Sequence, residues 1–328
     1  MESRPEEVIL LRRTEPRPHG SRLFFCPPDT PLHDARPVSR SRLHGADVAF
    51  SYVHAPITVS EAVLRHHCDP AAAHILGRAI AAGLLSASTL GGRERINIRW
   101  TYGGTLKTVL VDAGPDGSVR GLITPPQLAA TPDRAALTGA GGHIRVIRCA
   151  DSTVTASGTT EAGLLDVVED LNLFLCLSDQ VESAMSVLIG FSDDPARPVR
   201  VCRGVLLQAL PGCDLHRFHA MRQALASAPV RELLGSDREE EHLPMQIFSA
   251  VAGGEIQGSA VKISHAVAPA FRCSCNREKM GVVLGAIAVN ERPAILAEGK
   301  PLSIRCHFCG QTYSVSASDC EKIWSEPG

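Results

Sequence analysis

The sequence predicts an α+β protein: an N-terminal domain of antiparallel sheet packed with helices, a helical linker, and a small C-terminal zinc-binding domain. Three observations predict it. Stretches of alternating polarity between residues 95 and 123 follow two helical stretches, which is the order of an antiparallel meander fed by helices. A later apolar region, Leu243 to Pro269, is broken by Gly253-Gly254 and Gly258, the character of a weakly held helix-and-turn segment. Two close cysteine pairs, Cys273-Ser274-Cys275 and Cys306-His307-Phe308-Cys309, then mark the tail.

The chain has 328 residues, more than one typical domain, with a net charge of −2 and 44% hydrophobic residues. That balance suits a folded soluble chain and argues against a polyanion-binding protein. Residues 1–42 hold seven of the 22 prolines with scattered arginines and little periodicity, and are expected to be a flexible leader. Glu2, Glu6 and Glu7 argue against an organelle-targeting peptide there, and no secretory signal is read, so the expected compartment is the cytoplasm.

From Gly45 the pattern becomes regular, and residues 43–213 are expected to form the N-terminal domain. Asp47–Val53 reads as a strand; Thr58 or Ser60 can cap a first helix, and Asp69-Pro70 opens a second that runs from Ala71 to about Leu90. Gly77 and Gly83 inside it are weak points that close packing would explain. Arg95–Trp100, Thr105–Val111 and Ser118–Ile123 are the meander, with Gly103-Gly104 and Pro115-Asp116-Gly117 as its turns. Gly141–Arg148 and Ser152–Ala156 continue the sheet, and Glu161 to Leu177 carries Leu164, Leu165, Val168, Leu171 and Leu175 at helical spacing, a core face. Val187–Gly190 and Val201–Gly212 read as a strand pair with a turn at Asp193 to Pro198. Helices follow from Leu215 to Leu234, then an acidic solvated run at Asp237–Glu241; residues 214–270 form the expected metastable linker.

The tail, residues 271–328, holds the chemistry. Residues two apart in an extended segment point the same way, so Cys273 and Cys275 can reach one ion together. Cys306 and Cys309 have the spacing of a zinc knuckle, with Gly310 behind them for a positive φ. One Zn2+ bound by four thiolates carries a net charge of −2, which Arg272, Arg277, Lys279 and Arg305 are placed to offset. So small a segment has little apolar core of its own, and structural zinc contributes on the order of 10–16 kcal/mol to such domains, so removing it should unfold this one. The bland readings are four buried free cysteines or a structural disulfide pair. Thiolates on zinc are also oxidisable, so a strong oxidant could join each close pair, eject the ion and melt the domain.

Phe271–Met280 and then Cys306–Tyr313 resemble the redox-switch domain of the 33 kDa chaperonin family, the redox-regulated heat-shock holdases. Gly83–Leu90, Val119-Arg120-Gly121 and Gly204–Gly212 are similar to that family's N-terminal domain, whereas Ser178-Asp179-Gln180 stands where the family has Ser-Glu-Gln. The resemblance implies a non-enzymatic, ATP-independent chaperone, inactive when reduced and zinc-bound. Oxidation would form Cys273–Cys275 and Cys306–Cys309, release zinc, unfold the linker and expose a surface for unfolding clients, in a homodimer.

Other readings stay open. A zinc-ribbon adaptor or nucleic-acid-binding protein would keep its metal as structure, but the tail has seven Arg and Lys against six acids and lacks a basic stripe. A thiol oxidoreductase would turn one pair over with substrate. No phosphate loop, Gly-x-Ser-x-Gly elbow or His-Glu-x-x-His helix is present, and no twenty-residue apolar run reads as a membrane span. Cys26, Cys68, Cys149, Cys176, Cys202, Cys213 and Cys320 show no ligand spacing and read as small hydrophobes or incidental thiols, with Cys320 placed to form off-pathway disulfides. His66-His67-Cys68 reads as a solvated helix end, and His307 is a possible substitute ligand.

Overall fold

A computed structural model describes residues 38–43, 47–131, 133–151, 153–236, 242–254 and 261–325. The chain divides into two compact units, whose described parts run from Val38 to Cys273 and from Ser274 to Ser325.

The larger unit begins earlier than the sequence suggests. Val38–Leu43 is a strand, β1, inside the stretch expected to be leader; residues 1–37 lie outside the described residues. Its Ser-Arg-Ser-Arg composition hides it, because the strand exists through backbone ladders to neighbours on both sides, not through an apolar face. Strand β2 (Val48–His54) follows, then helix α1 (Pro56–His66). Neither Thr58 nor Ser60 caps α1: Ala55 is the N-cap, makes no side-chain bond, and Pro56 pre-sets the first turn. Helix α2 (Pro70–Ala87) starts as expected, with the Asp69 carboxylate accepting from Ala72 N at 2.8 Å.

Strands β3 (Glu94–Thr101), β4 (Thr108–Ala113) and β5 (Ser118–Thr124) form the antiparallel meander. Strand β4 starts three residues later than the alternation suggests. The amides of Gly104, Thr105 and Leu106 bond instead to the carbonyls of Thr138, Ala136 and Leu137 in α3 (Arg134–Thr138). Strands β6 (His143–Ala150) and β7 (Thr153–Glu161) extend the sheet, and because β7 runs through Glu161, helix α4 is confined to Val167–Leu177 with Asp166 as its cap. Strands β8 (Ser183–Phe191) and β9 (Val199–Ala209) pair as expected, but β9 joins β2 and so builds a second sheet. Helices α5 (Leu215–Leu225), α6 (Ala228–Gly235) and α7 (Leu243–Val251) come next. Strands β10 (Val261–Val267) and β11 (Ala270–Phe271) close the unit inside the expected linker. The sheet orders are β10-β1-β2-β9-β8 and β11-β5-β4-β3-β6-β7.

Helix α2 packs on β4 and β5 of one sheet and on β8 and β9 of the other, so thirteen of its eighteen residues are buried. A helix apolar all round must be covered all round. Its length and composition would also suit a membrane span, yet 72% of it is buried inside the protein. Gly77 is where it comes closest to its neighbours: a Cβ there would stand 2.5 Å from Ile189 Cδ1 and 2.8 Å from Val59 Cγ1. Beyond the five-stranded sheet, α5–α7 form an outer layer. Phe218, Met221, Leu225, Val230, Leu234 and Phe248 cover Phe50, Tyr52, Val205 and Leu207, with Phe50 edge-on to Phe248 at 4.7 Å.

The smaller unit holds α8 (Arg277–Leu284), α9 (Arg292–Ala297), the hairpin β12 (Leu302–Arg305) and β13 (Thr312–Val315), and α10 (Ala317–Ser325). Only Leu284, Ile287, Ile304, Val315 and Cys320 form its buried cluster among the described residues.

Two stability tests follow from the packing of α2. Ala for Gly in a helix interior ordinarily gains roughly 0.5–1 kcal/mol, whereas overpacking costs about 1–3 kcal/mol, so Gly77→Ala should lower the urea midpoint. Asp166 caps α4 and forks onto Arg78 of α2. Burial pushes its carboxyl up, but the Arg78 hydrogen bonds and charge and the α4 amides outweigh this and hold its pKa below the ordinary carboxylate value. A depressed carboxylate stabilises above its unfolded pKa and loses that contribution as pH falls through the folded one. Asp166→Asn should therefore cost about 1.5–3 kcal/mol at neutral pH, with the gap to wild type closing as denaturant melts are taken below about pH 4.

Candidate metal centre

The two cysteine pairs are presented by two different backbone devices. Strand β11 runs parallel to β5, with Ala270 N bonding Gly117 O at 3.0 Å and Arg272 N bonding Val119 O at 2.9 Å. This extended run delivers Cys273 and Cys275 to the same side, and Asn276 stops it by capping α8 through Lys279 N at 2.8 Å. Cys306 and Cys309 occupy the loop of the β12–β13 hairpin. Cys306 N bonds Gln311 O at 2.8 Å and Gly310 N bonds Cys306 O at 2.9 Å, a turn that places Gly310 at φ +73°. A side chain there would be strained, which is the role expected of Gly310.

The sulfurs of Cys273, Cys275, Cys306 and Cys309 all lie within 4.8 Å of one another. Cys275 Sγ is 3.3 Å from Cys309 Sγ, so the two pairs meet and are not merely neighbours. Four soft donors converging from two turns fit a tetrahedral thiophilic ion, whose bonds to sulfur are about 2.3 Å. Cys306 is buried and the other three are half-buried. His307 between them is exposed and outside the cluster.

The cations expected to offset the thiolates are deployed differently. Lys279 Nζ bonds Ser274 O at 3.0 Å and Arg305 Nε bonds Gly310 O at 3.3 Å, each bracing one ligand loop through a carbonyl. Arg277 pairs with Asp319 at 2.6 Å and Arg272 with Asp116 at 3.9 Å. Two contacts to sulfur come from residues outside the two cysteine pairs. Arg120 of β5 donates to Cys273 Sγ at 3.6 Å, held from behind by Asp112 at 3.7 Å. Tyr313 of β13 places its hydroxyl 3.2 Å from Cys275 Sγ and 3.1 Å from Cys275 O. The hydrogen bond to Cys275 raises the Tyr313 pKa, followed by burial and the nearby thiolates, so the phenol keeps the proton it donates.

Among the described residues the other cysteines stay apart from the cluster; Cys26 lies outside them. Cys320 is fully buried in the small core, which shields it from disulfide chemistry while the unit is folded. Burial, then the Asp69 charge, pushes the Cys68 thiol up to about 12. His67 beside it sits at φ 53° as the C-cap of α1, a helix end. Asp179 of the Ser-Asp-Gln triplet pairs with Arg148 of β6.

Cys306→Ser should abolish tight metal binding in chelator competition. Tyr313→Phe, which removes only an outer-sphere contact, should lower metal affinity by roughly 10- to 100-fold; unchanged affinity would show the hydroxyl to be a bystander.

A family model described as Hsp33 protein matches residues 38–316. A 33 kDa chaperonin of Desulforamulus reducens is 30% identical over 271 residues, 81% of this chain and 89% of that one. The 33 kDa chaperonin of Geobacter sulfurreducens is also 30% identical, covering 81% and 87%. The crystal structure of the 33 kDa chaperonin from Thermotoga maritima superposes with a TM-score of 0.75 at 21% identity, over 89% of this chain and 98% of that one. With the fold matched across both units and the family pattern spanning the meander as well as both cysteine pairs, the chain belongs to the Hsp33 family.

Proposed function

We propose that this protein is a chaperone that holds unfolding polypeptides without ATP, and that oxidation of its four-thiolate zinc centre switches it on. The observation that carries this reading is the convergence of four sulfurs in a unit whose described core is five buried side chains. Such a unit depends on its ion, and the ion depends on the sulfur being reduced.

Zn2+ is the natural occupant, with Cys273, Cys275, Cys306 and Cys309 as ligands. When bound it supplies cross-linking and no open coordination position, which fits a switch and not a catalyst. Each oxidative event removes two electrons from a thiolate pair and forms one S–S bond. With peroxide the O–O bond breaks, two protons are taken up and two waters leave. Sulfur then no longer serves as a thiolate ligand.

The residues through Cys273 explain how this reaches a client surface. Strand β11 is two residues long and its ladder continues into Arg272, so the backbone bonds to Gly117 and Val119 hold the run leading to Cys273. On losing the ion this short parallel ladder has little to retain it, and the region 214–270 follows it in unfolding. Helices α5–α7 cover an apolar face bearing Phe50, Tyr52, Val205 and Leu207. Uncovered, that face gains about 25 cal/mol for every Å² of client apolar surface it buries. The working form is a cytoplasmic homodimer on this reading.

One contact favours a variation in the pairing. The Cys275–Cys309 approach at 3.3 Å crosses between the pairs, so a Cys275–Cys309 bond competes with Cys273–Cys275 and Cys306–Cys309.

Purified zinc-loaded protein treated with hypochlorite, or with peroxide at raised temperature, should release one zinc to a chromophoric chelator. It should then keep a thermally unfolding client in solution, while the reduced form does not. Zinc retained after oxidant, or release without protection, would leave the metal a purely structural element. Peptide mapping of the oxidised protein should find the two sequence-adjacent disulfides as the main species.

A further inference from the structure

Strand β5 has two faces of different character. Val119 and Gly121 share the buried one, where a Cβ on Gly121 would stand 3.2 Å from Ile80 Cγ1 of α2, and Arg120 between them belongs to the other. There Arg120 is the register partner of Asp112 on β4, with its Nη2 3.7 Å from Oδ2, and both are half-buried. An ordinary cross-strand ion pair would end at that contact. Arg120 continues past it: Arg272 N bonds Val119 O, so the next residue, Cys273, is delivered beside Arg120, and Nη1 donates to its Sγ at 3.6 Å. Both partners belong to the larger unit. The same segment has a second hold that involves no sulfur. Phe271 of β11 is buried against α1, with the Arg65 guanidinium over its ring at 5.1 Å and Glu61 pairing with that guanidinium at 2.6 Å.

We propose that Arg120 is a positioning residue of the sulfur centre: its bond holds Cys273 Sγ as a thiolate donor to the ion, and makes the grip of β11 on β5 depend on the charge of that sulfur. A bond from a cation to an anionic sulfur is strong, and a sulfur joined in a disulfide carries no charge to receive it. Peroxide takes two electrons from Cys273 and its partner thiolate, the S–S bond forms, and the O–O bond breaks with uptake of two protons to leave two waters. Arg120 then keeps Asp112 and loses its tie to the segment, which is left with the Arg65 contact beside its short ladder. One clamp reads the sulfur and the other does not. This rests on the oxidation switch only for what neutralises the sulfur, and it goes further in naming the residue that ties sulfur to strand.

The probe is Co2+ in place of Zn2+ on the reduced full chain, read through its thiolate-to-metal charge-transfer band and by chelator competition. A hydrogen bond to a ligating sulfur lowers the energy of its lone pair, so Arg120→Met should move the band to longer wavelength. Metal affinity should fall about tenfold or more, the usual scale for outer-sphere partners. Hydrogen exchange at the Ala270 and Arg272 amides, which bond Gly117 O and Val119 O, should quicken in step. Arg120→Lys should recover part of each change. Arg120→Gln keeps a polar side chain at that position without the charge; it should follow Arg120→Met, and it decides the matter should the methionine variant fail to fold. Arg65→Met is the control, expected to quicken exchange at the same amides and leave the band in place. An unmoved band in a folded Arg120→Met or Arg120→Gln overturns the proposal even with affinity lowered, because a purely structural role in the sheet would loosen β11 without touching the electronics of sulfur. So does a band shift of equal size in Arg65→Met. If wild-type protein keeps its zinc after oxidant, the switch reading falls and the positioning role of Arg120 stands. If the Arg120 variants match wild type while wild type releases zinc and protects a client, only the role of Arg120 falls.

Discussion

Everything in the smaller unit depends on sulfur meeting sulfur. Residues 274–325 contain three short helices and a hairpin around five buried side chains, one of them a cysteine. Apolar burial on that scale does not offset the chain entropy of so many residues. Four thiolates around one ion, as proposed, would add a cross-link whose strength approaches the whole stability of an ordinary domain. On the proposed reading the consequence is an unusual chemical dependence: ordinary folds fail through heat or denaturant, and this one would also fail by losing electrons.

The larger unit has the opposite character, and the contrast explains which parts can give way. Helix α2 is locked between two sheets, with Gly77 and Gly83 admitting Ile189 and Val111 into contact with its backbone. Nothing there can move without opening two interfaces at once. Helices α5–α7 lie on one sheet face only, and although Phe218, Leu234 and Phe248 are fully buried, each helix is short and has an exposed side. One-sided layers sit at the low end of local stability. On the proposed reading, in which apolar surface is exposed on demand, such a layer is available without disturbing the centre.

Much of this could be read from residues alone, and the misses share a cause. The convergence of the four cysteines was legible because metal geometry demands close spacing within each pair, and the helix α2 start because Asp69-Pro70 is a local cap signal. The meander was legible through period-two alternation. Strand β1 was not, since Val38–Leu43 takes its form from β2 and from β10, more than two hundred residues later in the chain. The division into two sheets escaped for the same reason: β8 and β9 read as a hairpin, but only the pairing of β9 with β2 says which sheet owns them. At the cysteine cluster, Tyr313 closed the resembling stretch with no sign that its hydroxyl meets sulfur, and Arg120 lies 153 positions from Cys273. Long-range partners leave no periodic trace in a sequence.

Arg120 also shows why a sulfur centre can speak to a sheet. A guanidinium on β5 that donates to Cys273 Sγ is held by Asp112, which also binds Arg95, and Arg95 reaches Ser118 Oγ at 2.7 Å. The chain of contacts runs across β3, β4 and β5 and ends on the thiolate. A charge-assisted bond of this kind is strong while sulfur carries negative charge and weak once it is neutral in a disulfide. Beside it, β11 contributes only two residues of parallel ladder. On the proposed reading, loss of the thiolate would therefore remove the electrostatic and the metal-borne support of one short segment together, which would make its release abrupt rather than graded.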